Sequence, residues 1–285
     1  MLDEELLLSL PTEDDLPDSD GKPVDNELQV LAPILLRSIL AYIWADRFDW
    51  FFGVNMGIYP DPYEKAIGPD GFLSLGVPRI RDANKLRLSY VVCHEKVMPQ
   101  LVLEVVSKKP GKEYSEKFRR YAEMGVLYYV IYNPTHYRRD KHEIFEVYKL
   151  DSQGTYIRQK GNPVWLPELD LGIGIEFGFQ EGIQRDWIYW YDEFGKRYLA
   201  PENALREERV MRGKEQILRE REQLIRRSLE EQIDQERRQI DQERQQIDQE
   251  RRSIALNLFQ RNMPIETISE VMGLDLEQLK FLQDE

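Results

Sequence analysis

Two runs of the sequence are almost continuously apolar, and they lie on either side of a short helix-like stretch. The first is QLVLEVVS at residues 100–107, and the second is VLYYVIYNP at residues 126–134. A continuous apolar run predicts a strand that is buried on both faces. Residues 112–124 between the runs have the character of a helix and end at Gly125, a common helix stop. The strand–helix–strand order therefore predicts an α/β (α+β) domain, with a mixed β-sheet flanked by helices.

Composition divides the 285-residue chain into four expected segments. Residues 1–26 carry nine acids and one base among Pro and Ser residues, which predicts an acidic, largely disordered segment. Residues 27–200 are nearly neutral and rich in apolar residues, so we expect the folded domain there, beginning with an amphipathic helix that Asn26 or Asp25 can cap. Near its end, WIYWYDEFGKRY predicts a hairpin that turns at residues 192–195.

A seven-residue repeat dominates the third segment, residues 201–252, in the form QIDQERR, QIDQERQ and QIDQERR. Its isoleucines recur every seven residues at Ile233, Ile240, Ile247 and Ile254. A coiled coil needs two apolar positions in each heptad, and this repeat fills one of them. The repeat therefore predicts either a long charged helix, on the order of 70 Å at ~1.5 Å per residue, or a weak dimeric coiled coil.

The last segment, residues 253–285, predicts a small helical tail whose helices break at Met263–Pro264 and at Gly273. Its acidic charge argues against strong DNA contact, because phosphate binding requires Lys and Arg. We expect this tail to be a docking or oligomerisation element. The residues expected to form its small core are Leu256, Ile268, Val271, Leu274, Leu279 and Leu282.

Composition also excludes several classes of protein. Cys93 is the single cysteine, so the chain has no intramolecular disulfide partner and fits a reducing compartment. The longest apolar stretch, Val30–Trp44, is interrupted by Arg37 and is too short to cross a bilayer. Without a basic flank before the first apolar run, we expect no secretory signal and a cytoplasmic protein. The net charge of -13 predicts poor non-specific adhesion to nucleic acid but leaves room for a local basic site.

Three features of the folded segment can carry chemistry. Asp70 lies in the turn-like sequence GPDGF, and Glu104 lies inside the apolar strand LVLEVVS, where an unpaired acid would be costly. The third is the base-rich stretch SKKPGKEYSEKFRRY, residues 107–121. Two carboxylates on neighbouring strands with a lysine are the groups that metal-dependent phosphodiester hydrolysis uses. The combination indicates a nuclease.

The sequences GPDG, PQLVLEVVS, EKFRRYAEMGV and LYYVIYNP, in this order, resemble the Uma2 family, also called DUF820. These are restriction-endonuclease-like proteins of the PD-(D/E)xK nuclease superfamily, and the resemblance covers about residues 20–200. It implies a restriction-endonuclease-like fold, with helices around a mixed sheet of four or five strands. It also implies an endonuclease that depends on Mg²⁺, with Mn²⁺ as a substitute.

The resemblance also implies a role for individual residues. Asp70 and Glu104 would be the first and second metal ligands, and the Val105 backbone carbonyl the third. The superfamily's usual lysine position is occupied by Val106, and the family pattern implies Lys117 on the next helix as the migrated catalytic lysine. The expected accessory residues are Glu27, Lys108 and Tyr121, of which Lys108 is the alternative catalytic lysine. The expected phosphate contacts are Lys108, Lys109, Lys112 and Arg120.

Two classes of function remain open from the sequence. In the first, the protein is a DNA endonuclease, and a homodimer through the 201–252 helix pairs two sites to cut both strands. In the second, the domain is a catalytically silent scaffold that presents the helix and the acidic tail to protein partners. Action on RNA is a third possibility, although the sequence has no clear base-stacking motif.

Overall fold

The computed structural model describes residues 10–17, 26–81, 85–109 and 112–283. The chain divides into two compact units, residues 1–206 and 207–285. The elements of the chain through its last strand are α1 (Leu28–Ile43), β1 (Trp50–Val54), β2 (Ile58–Tyr59), β3 (Gly71–Leu75), β4 (Tyr90–Val91), α2 (Val92–Glu95), β5 (Leu101–Val105), α3 (Glu116–Glu123), β6 (Tyr128–Tyr132), α4 (Tyr137–Asp140), β7 (Phe145–Leu150), β8 (Tyr156–Gln159), β9 (Val164–Leu166), β10 (Leu171–Gln180) and β11 (Ile183–Tyr191). The elements that follow are α5 (Pro201–Gln260), α6 (Ile265–Met272) and α7 (Leu276–Gln283).

The first unit is built on a six-stranded sheet in the order β1-β3-β5-β6-β7-β8. Strands β5 and β6 run parallel, and the other neighbours in this sheet are antiparallel. The predicted mixed sheet is therefore confirmed, with one or two strands more than expected. A three-stranded sheet, β11-β10-β9, and a two-stranded parallel sheet, β2-β4, accompany it. The partner of β11 along its full length is β10. The hairpin expected within WIYWYDEFGKRY is present in short form, since Tyr191 bridges Arg197 and the Tyr198 N–H donates to the Trp190 carbonyl at 2.9 Å.

Strand β5 is buried on both faces, as its apolar sequence predicts. Leu101, Leu103 and Val105 point into a core shared with α1, β10 and β11. Val102 and Val106 point to the other side of the sheet, into a second core that includes side chains of α3. The strand alternates between two apolar layers, which explains why its sequence shows no alternation of apolar and polar residues.

Helix α1 begins beside the end of β5. The Asn26 side chain accepts a hydrogen bond from the Gln29 N–H at 3.2 Å, which confirms Asn26 as the capping residue. Farther along α1, the Trp190 indole of β11 donates to the Leu36 carbonyl at 3.0 Å. These contacts hold α1 between the six-stranded sheet and the β9–β11 sheet.

Residues 10–17, which belong to the segment expected to be largely disordered, contact the folded domain. The Tyr59 hydroxyl donates to the Pro17 carbonyl at 2.7 Å, and the Leu88 N–H donates to the Glu13 carboxylate at 3.3 Å. Asp14 pairs with Lys85. Glu13 and Asp14 are thus compensated by N–H and basic groups of the domain, which the composition alone did not indicate. Residues 1–9 and 18–25 lie outside the described residues.

The second unit contains most of α5, together with α6 and α7. The predicted long charged helix is confirmed and extends to Gln260. The breaks at Met263–Pro264 and Gly273 are also confirmed, since α6 lies between them. Ala255, Ile268 and Leu279 form the buried core of the tail, with Leu274 among the residues packed against it. Two residues expected in that core are exposed, Leu256 by 42% and Val271 by 72%, and the Leu282 side chain is outside the described part.

No helix in the described residues is long and apolar enough to cross a membrane.

Gly53 of β1 provides a test of how tightly the sheet is packed. It pairs with Phe72 of β3, and a Cβ added at Gly53 would lie 2.2 Å from the Phe72 ring. Because the Phe72 ring is fully buried, we expect Gly53→Ala to lower the free energy of unfolding by about 1–3 kcal/mol in a denaturation experiment. The control is Gly213→Ala, where nothing lies within 4 Å and a helix former should cost nothing. Equal stability of the two variants would contradict this packing.

Candidate active site

The register of β3 against β5 brings the two predicted carboxylates together. Gly71 pairs with Leu103 in this antiparallel pair, so the next position outward sets Asp70 opposite Glu104. The Asp70 carboxylate accepts a hydrogen bond from the Val105 N–H at 2.6 Å. Asp70 is 8% exposed and Glu104 is 1% exposed. Both predicted acidic ligands therefore lie in one buried position at the end of β5.

Helix α3 supplies the polar partners of Glu104. The Lys117 ammonium donates to Glu104 Oε2 at 2.7 Å, and the Tyr121 hydroxyl donates to Glu104 Oε1 at 2.7 Å. Residues four positions apart lie on the same helix face, which is why one helix can supply both donors. Tyr121 is fully buried, whereas the Lys117 side chain is 21% exposed. Lys117 is thus the member of this group whose side chain is partly exposed to solvent.

Val106 occupies the position of the usual superfamily lysine, and the structure gives it an apolar environment. It is 3% exposed and packs in the same core as Tyr121 and Tyr129. A lysine at this position would be buried among aromatic rings. Lys117 instead brings an ammonium to Glu104 from the neighbouring helix.

Gln29 is a residue of this site that the sequence did not indicate. Its amide donates to the Val105 carbonyl at 3.3 Å, and it also forms a hydrogen bond with Asp70. Glu27, the expected accessory acid, is exposed, and its carboxylate has no hydrogen bond or ion pair with any described residue. Capping by Asn26 directs the first turn of α1 so that Gln29 faces the site. In the sequence, Gln29 could have been singled out because it is a polar side chain on an otherwise apolar helix face.

The four residues expected to contact phosphate differ in their exposure and in their partners. Lys108 and Lys109 are exposed in the loop that follows β5. Lys112 pairs with Glu116 one turn away. Arg120 donates to the Lys65 carbonyl at 2.7 Å and so holds another loop of the domain. Lys108 does not contact Glu104 in the structure, whereas Lys117 does.

Burial dominates the electrostatics of the site. Burial, and then the charge of Glu104, raise the pKa of Asp70 well above its usual value. Burial also raises the pKa of Glu104, against the opposing effect of Lys117. Burial alone would lower the pKa of Lys117, but the charges of Glu104 and Asp70 outweigh it and raise this pKa. The buried Glu113, which the sequence did not single out, adds to the negative field at both Glu104 and Lys117.

The oxygen atoms of this site match the ligands that a hard divalent cation prefers. Mg²⁺ takes carboxylate and carbonyl oxygens, and Asp70, Glu104 and the Val105 carbonyl provide both kinds. Each oxygen of Glu104 accepts one hydrogen bond and keeps a lone pair free. Within the described residues, no group of three or more His, Cys, Asp or Glu side chains is arranged for a metal. A cation here would therefore depend on two carboxylates, the backbone carbonyl and water.

Asp70→Asn tests the electrostatic cost of the site. A carboxyl whose folded pKa is raised destabilises the fold above that pKa, and this penalty is absent below the unfolded value of about 3.9. We expect the variant to unfold about 2 °C or more above the native chain at pH 8 in EDTA, with the difference shrinking toward pH 4. Thermal denaturation across this pH range is the measurement. The exposed Asp46→Asn should change little, and a lower midpoint for Asp70→Asn at pH 8 would contradict the account.

A comparison with protein families found a match that covers the candidate site. The family model Uma2, described as "Putative restriction endonuclease", matches residues 21–180, more than half of the chain. This range includes both carboxylates, Lys117 and all six strands of the main sheet. A search of curated proteins found no match.

Proposed function

The chain belongs to the Uma2 family of restriction-endonuclease-like proteins, and on that basis we propose that it is a metal-dependent DNA endonuclease that hydrolyses phosphodiester bonds. Family membership supports a nuclease-like function in general, and the proposal adds the metal, the substrate and the residues. One observation carries it. A fully buried carboxylate in a central strand, Glu104, meets a partly exposed lysine and lies opposite a second buried carboxylate, Asp70.

In this proposal, Asp70, Glu104 and the Val105 carbonyl would hold Mg²⁺ or Mn²⁺. When bound, such an ion lowers the pKa of a coordinated water and offsets negative charge on the phosphate. The contribution of the protein is to keep the ligands in place. The Val105 N–H orients Asp70, the Tyr121 hydroxyl orients Glu104, and the Gln29 amide holds the Val105 carbonyl.

Lys117 is the proposed catalytic lysine. Its ammonium uses one of three N–H groups on Glu104, which leaves two for a water or a phosphate oxygen on the exposed side. The raised pKa keeps it protonated near neutral pH, so it acts as a hydrogen-bond donor and a positive charge. Such a fixed donor orients the attacking water and stabilises the charge that develops on the phosphate in the transition state.

Plasmid cleavage tests this assignment. The native chain is expected to nick supercoiled DNA with Mg²⁺ or Mn²⁺ but not with EDTA. Glu104→Ala and Lys117→Ala should each reduce the rate by about 100-fold or more, since each removes a group that acts at the reacting phosphate. Arg119→Ala is the matched control, because Arg119 is exposed on the same helix and pairs with Glu123.

The two variants separate the roles of the residues. If Glu104→Ala loses nicking while Lys117→Ala keeps full activity, the proposed metal site is supported and the proposed catalytic role of Lys117 is refuted. Calorimetry adds a readout that is independent of cleavage, because Glu104→Ala should abolish Mn²⁺ binding while Lys117→Ala should retain it. Unchanged Mn²⁺ binding by Glu104→Ala would refute the metal site.

A second candidate function depends on α5. The four isoleucines of its heptad repeat are 44–52% exposed, so one side of the helix presents apolar groups to solvent. We propose that α5 pairs with α5 of a second copy, with Glu and Arg of each heptad able to pair across the two helices. In an endonuclease this would bring two sites to the two DNA strands. In a catalytically silent domain the same helix would serve as a scaffold for protein partners.

Sedimentation tests the pairing. We expect the native chain to sediment as a dimer of the 33.9 kDa protomer at micromolar concentration. Replacing Ile233, Ile240 and Ile247 by Gln should yield monomers, because it removes three of the four isoleucines at the apolar heptad position. The control replaces Gln235, Gln242 and Gln249 by Ala, which alters a different face of the helix. A native chain that is monomeric at all concentrations would contradict the pairing.

A further inference from the structure

Two loops leave the sheet at the edge that carries the candidate site. Strands β5 and β6 are parallel, and their register pairs Glu104 with Ile131 and Val105 with Tyr132. The carboxyl ends of parallel strands lie at the same edge of a sheet, with neighbouring strands about 4.8 Å apart. The loop after β5 and the segment after β6, residues 133–144, therefore begin side by side.

Side-chain contacts tie the segment after β6 to the loop after β5. The Arg139 guanidinium donates to the Lys108 carbonyl at 2.6 Å. The fully buried Asn133 amide donates to the Tyr114 hydroxyl at 3.1 Å. The Tyr114 and His142 rings stack, with centroids 3.6 Å apart and planes inclined by 7°. The segment is thus attached to the loop that connects Glu104 to Lys117.

Four exposed cations lie on these two segments. They are Lys108, Lys109, Arg138 and Lys141, and together we call them the basic rim. No ion pair joins any of the four to a carboxylate in the part of the chain that the structure describes.

The acids near the basic rim are occupied elsewhere. Asp140 pairs with Arg139 at 2.6 Å, and Glu143 pairs with Arg158 at 2.7 Å. The rim is therefore a locally positive surface on a chain whose formal charge is -13. Concentrated unpaired positive charge on an acidic protein favours one kind of partner, a polyanion.

We propose that the basic rim binds the phosphate backbone of duplex DNA beside the bond that is cut. This inference rests on the proposed endonuclease function and adds the surface that holds its substrate. Lys108, the rim residue nearest in sequence, lies four residues beyond Glu104, at most ~14 Å along the chain. Arg139, which follows Arg138, donates to the Ser107 carbonyl at 3.4 Å. Phosphates of one strand are spaced ~3.4 Å apart along the axis, so the rim would contact phosphates about two to four nucleotides from the site.

The rim shares Lys108 and Lys109 with the contacts expected from the sequence and adds Arg138 and Lys141. Lys112 and Arg120 already hold Glu116 and the Lys65 carbonyl, whereas Arg138 and Lys141 form no ion pair within the described residues. Arg138 is exposed, and its guanidinium carbon lies 5.5 Å from the centroid of the Tyr137 ring. Contacts of this kind position DNA without reading its bases. The rim is therefore expected to act on all sequences alike.

The test is a binding measurement that does not require cleavage. Fluorescence anisotropy with a labelled 20-base-pair duplex in Ca²⁺ compares the native chain with Arg138→Gln/Lys141→Gln. Loss of two phosphate contacts should weaken binding by about 10-fold or more at 0.1 M salt and lower the slope of log affinity against log salt by about 1.8. The matched control is Lys196→Gln/Arg206→Gln, which removes one exposed lysine and one exposed arginine outside the rim.

The outcomes distinguish a failure of the proposed DNA contact by the basic rim from a failure of the proposed endonuclease activity. If the double variant binds duplex DNA with the affinity and salt slope of the native chain, the proposed role of the basic rim is refuted. It is also refuted if the native chain binds duplex RNA but not duplex DNA. Retained Mn²⁺ binding by the double variant shows that the site is still folded. If the rim effect is present but the native chain never nicks DNA, the proposed endonuclease fails and the binding surface stands.

Discussion

The burial of the Glu104 carboxylate in the central strand β5 is the constraint on which the rest of the site depends. An ion that is removed from water between two apolar layers costs several kcal/mol unless opposite charge and hydrogen bonds compensate it. Lys117 and Tyr121 supply that compensation at 2.7 Å each. Helix α3 is therefore held over the sheet by a polar contact as well as by apolar packing, and displacing it would leave a buried charge without a partner. The geometry that stabilises Glu104 is also the geometry that hydrolysis would use.

The two faces of the sheet pack against different elements. On one face, α1 and the β9–β11 sheet form an apolar core that includes Leu101, Leu103 and Val105. On the other face, α3 completes a second core and brings Lys117 to the strand end. The candidate site lies where the first turns of α1 and α3 both reach the end of β5, and Gln29 is the contribution of α1. Each helix is anchored by its own apolar core, and the polar groups between them add to that anchoring at the end of β5.

The sequence predicted the parts of this arrangement that leave a local signal. An acid inside an apolar strand marked Glu104, and the order of motifs around Asp70 indicated the sheet and the helix that carries Lys117. The contribution of Gln29 and the basic rim depends on which strands are neighbours, and a single sequence does not specify the parallel pairing of β5 with β6. The pairing of β10 with β11 was missed because LGIGIEFGF is rich in glycine, which is uncommon in strands. There Gly174 lies against Asn162 and Pro163, where a Cβ would be 2.5 Å from the Asn162 side-chain oxygen, so the glycine serves close packing.

The central claim is that the two carboxylates form a metal site, and anomalous diffraction from crystals soaked in Mn²⁺ tests it most directly. We expect one anomalous peak between Asp70 and Glu104, about 2.0–2.2 Å from a carboxylate oxygen of each and near the Val105 carbonyl. Lys117 should remain beside that peak without coordinating it, since an ammonium has no lone pair to offer. Absence of a peak at saturating Mn²⁺, or a peak whose ligands do not include Glu104, would contradict the account.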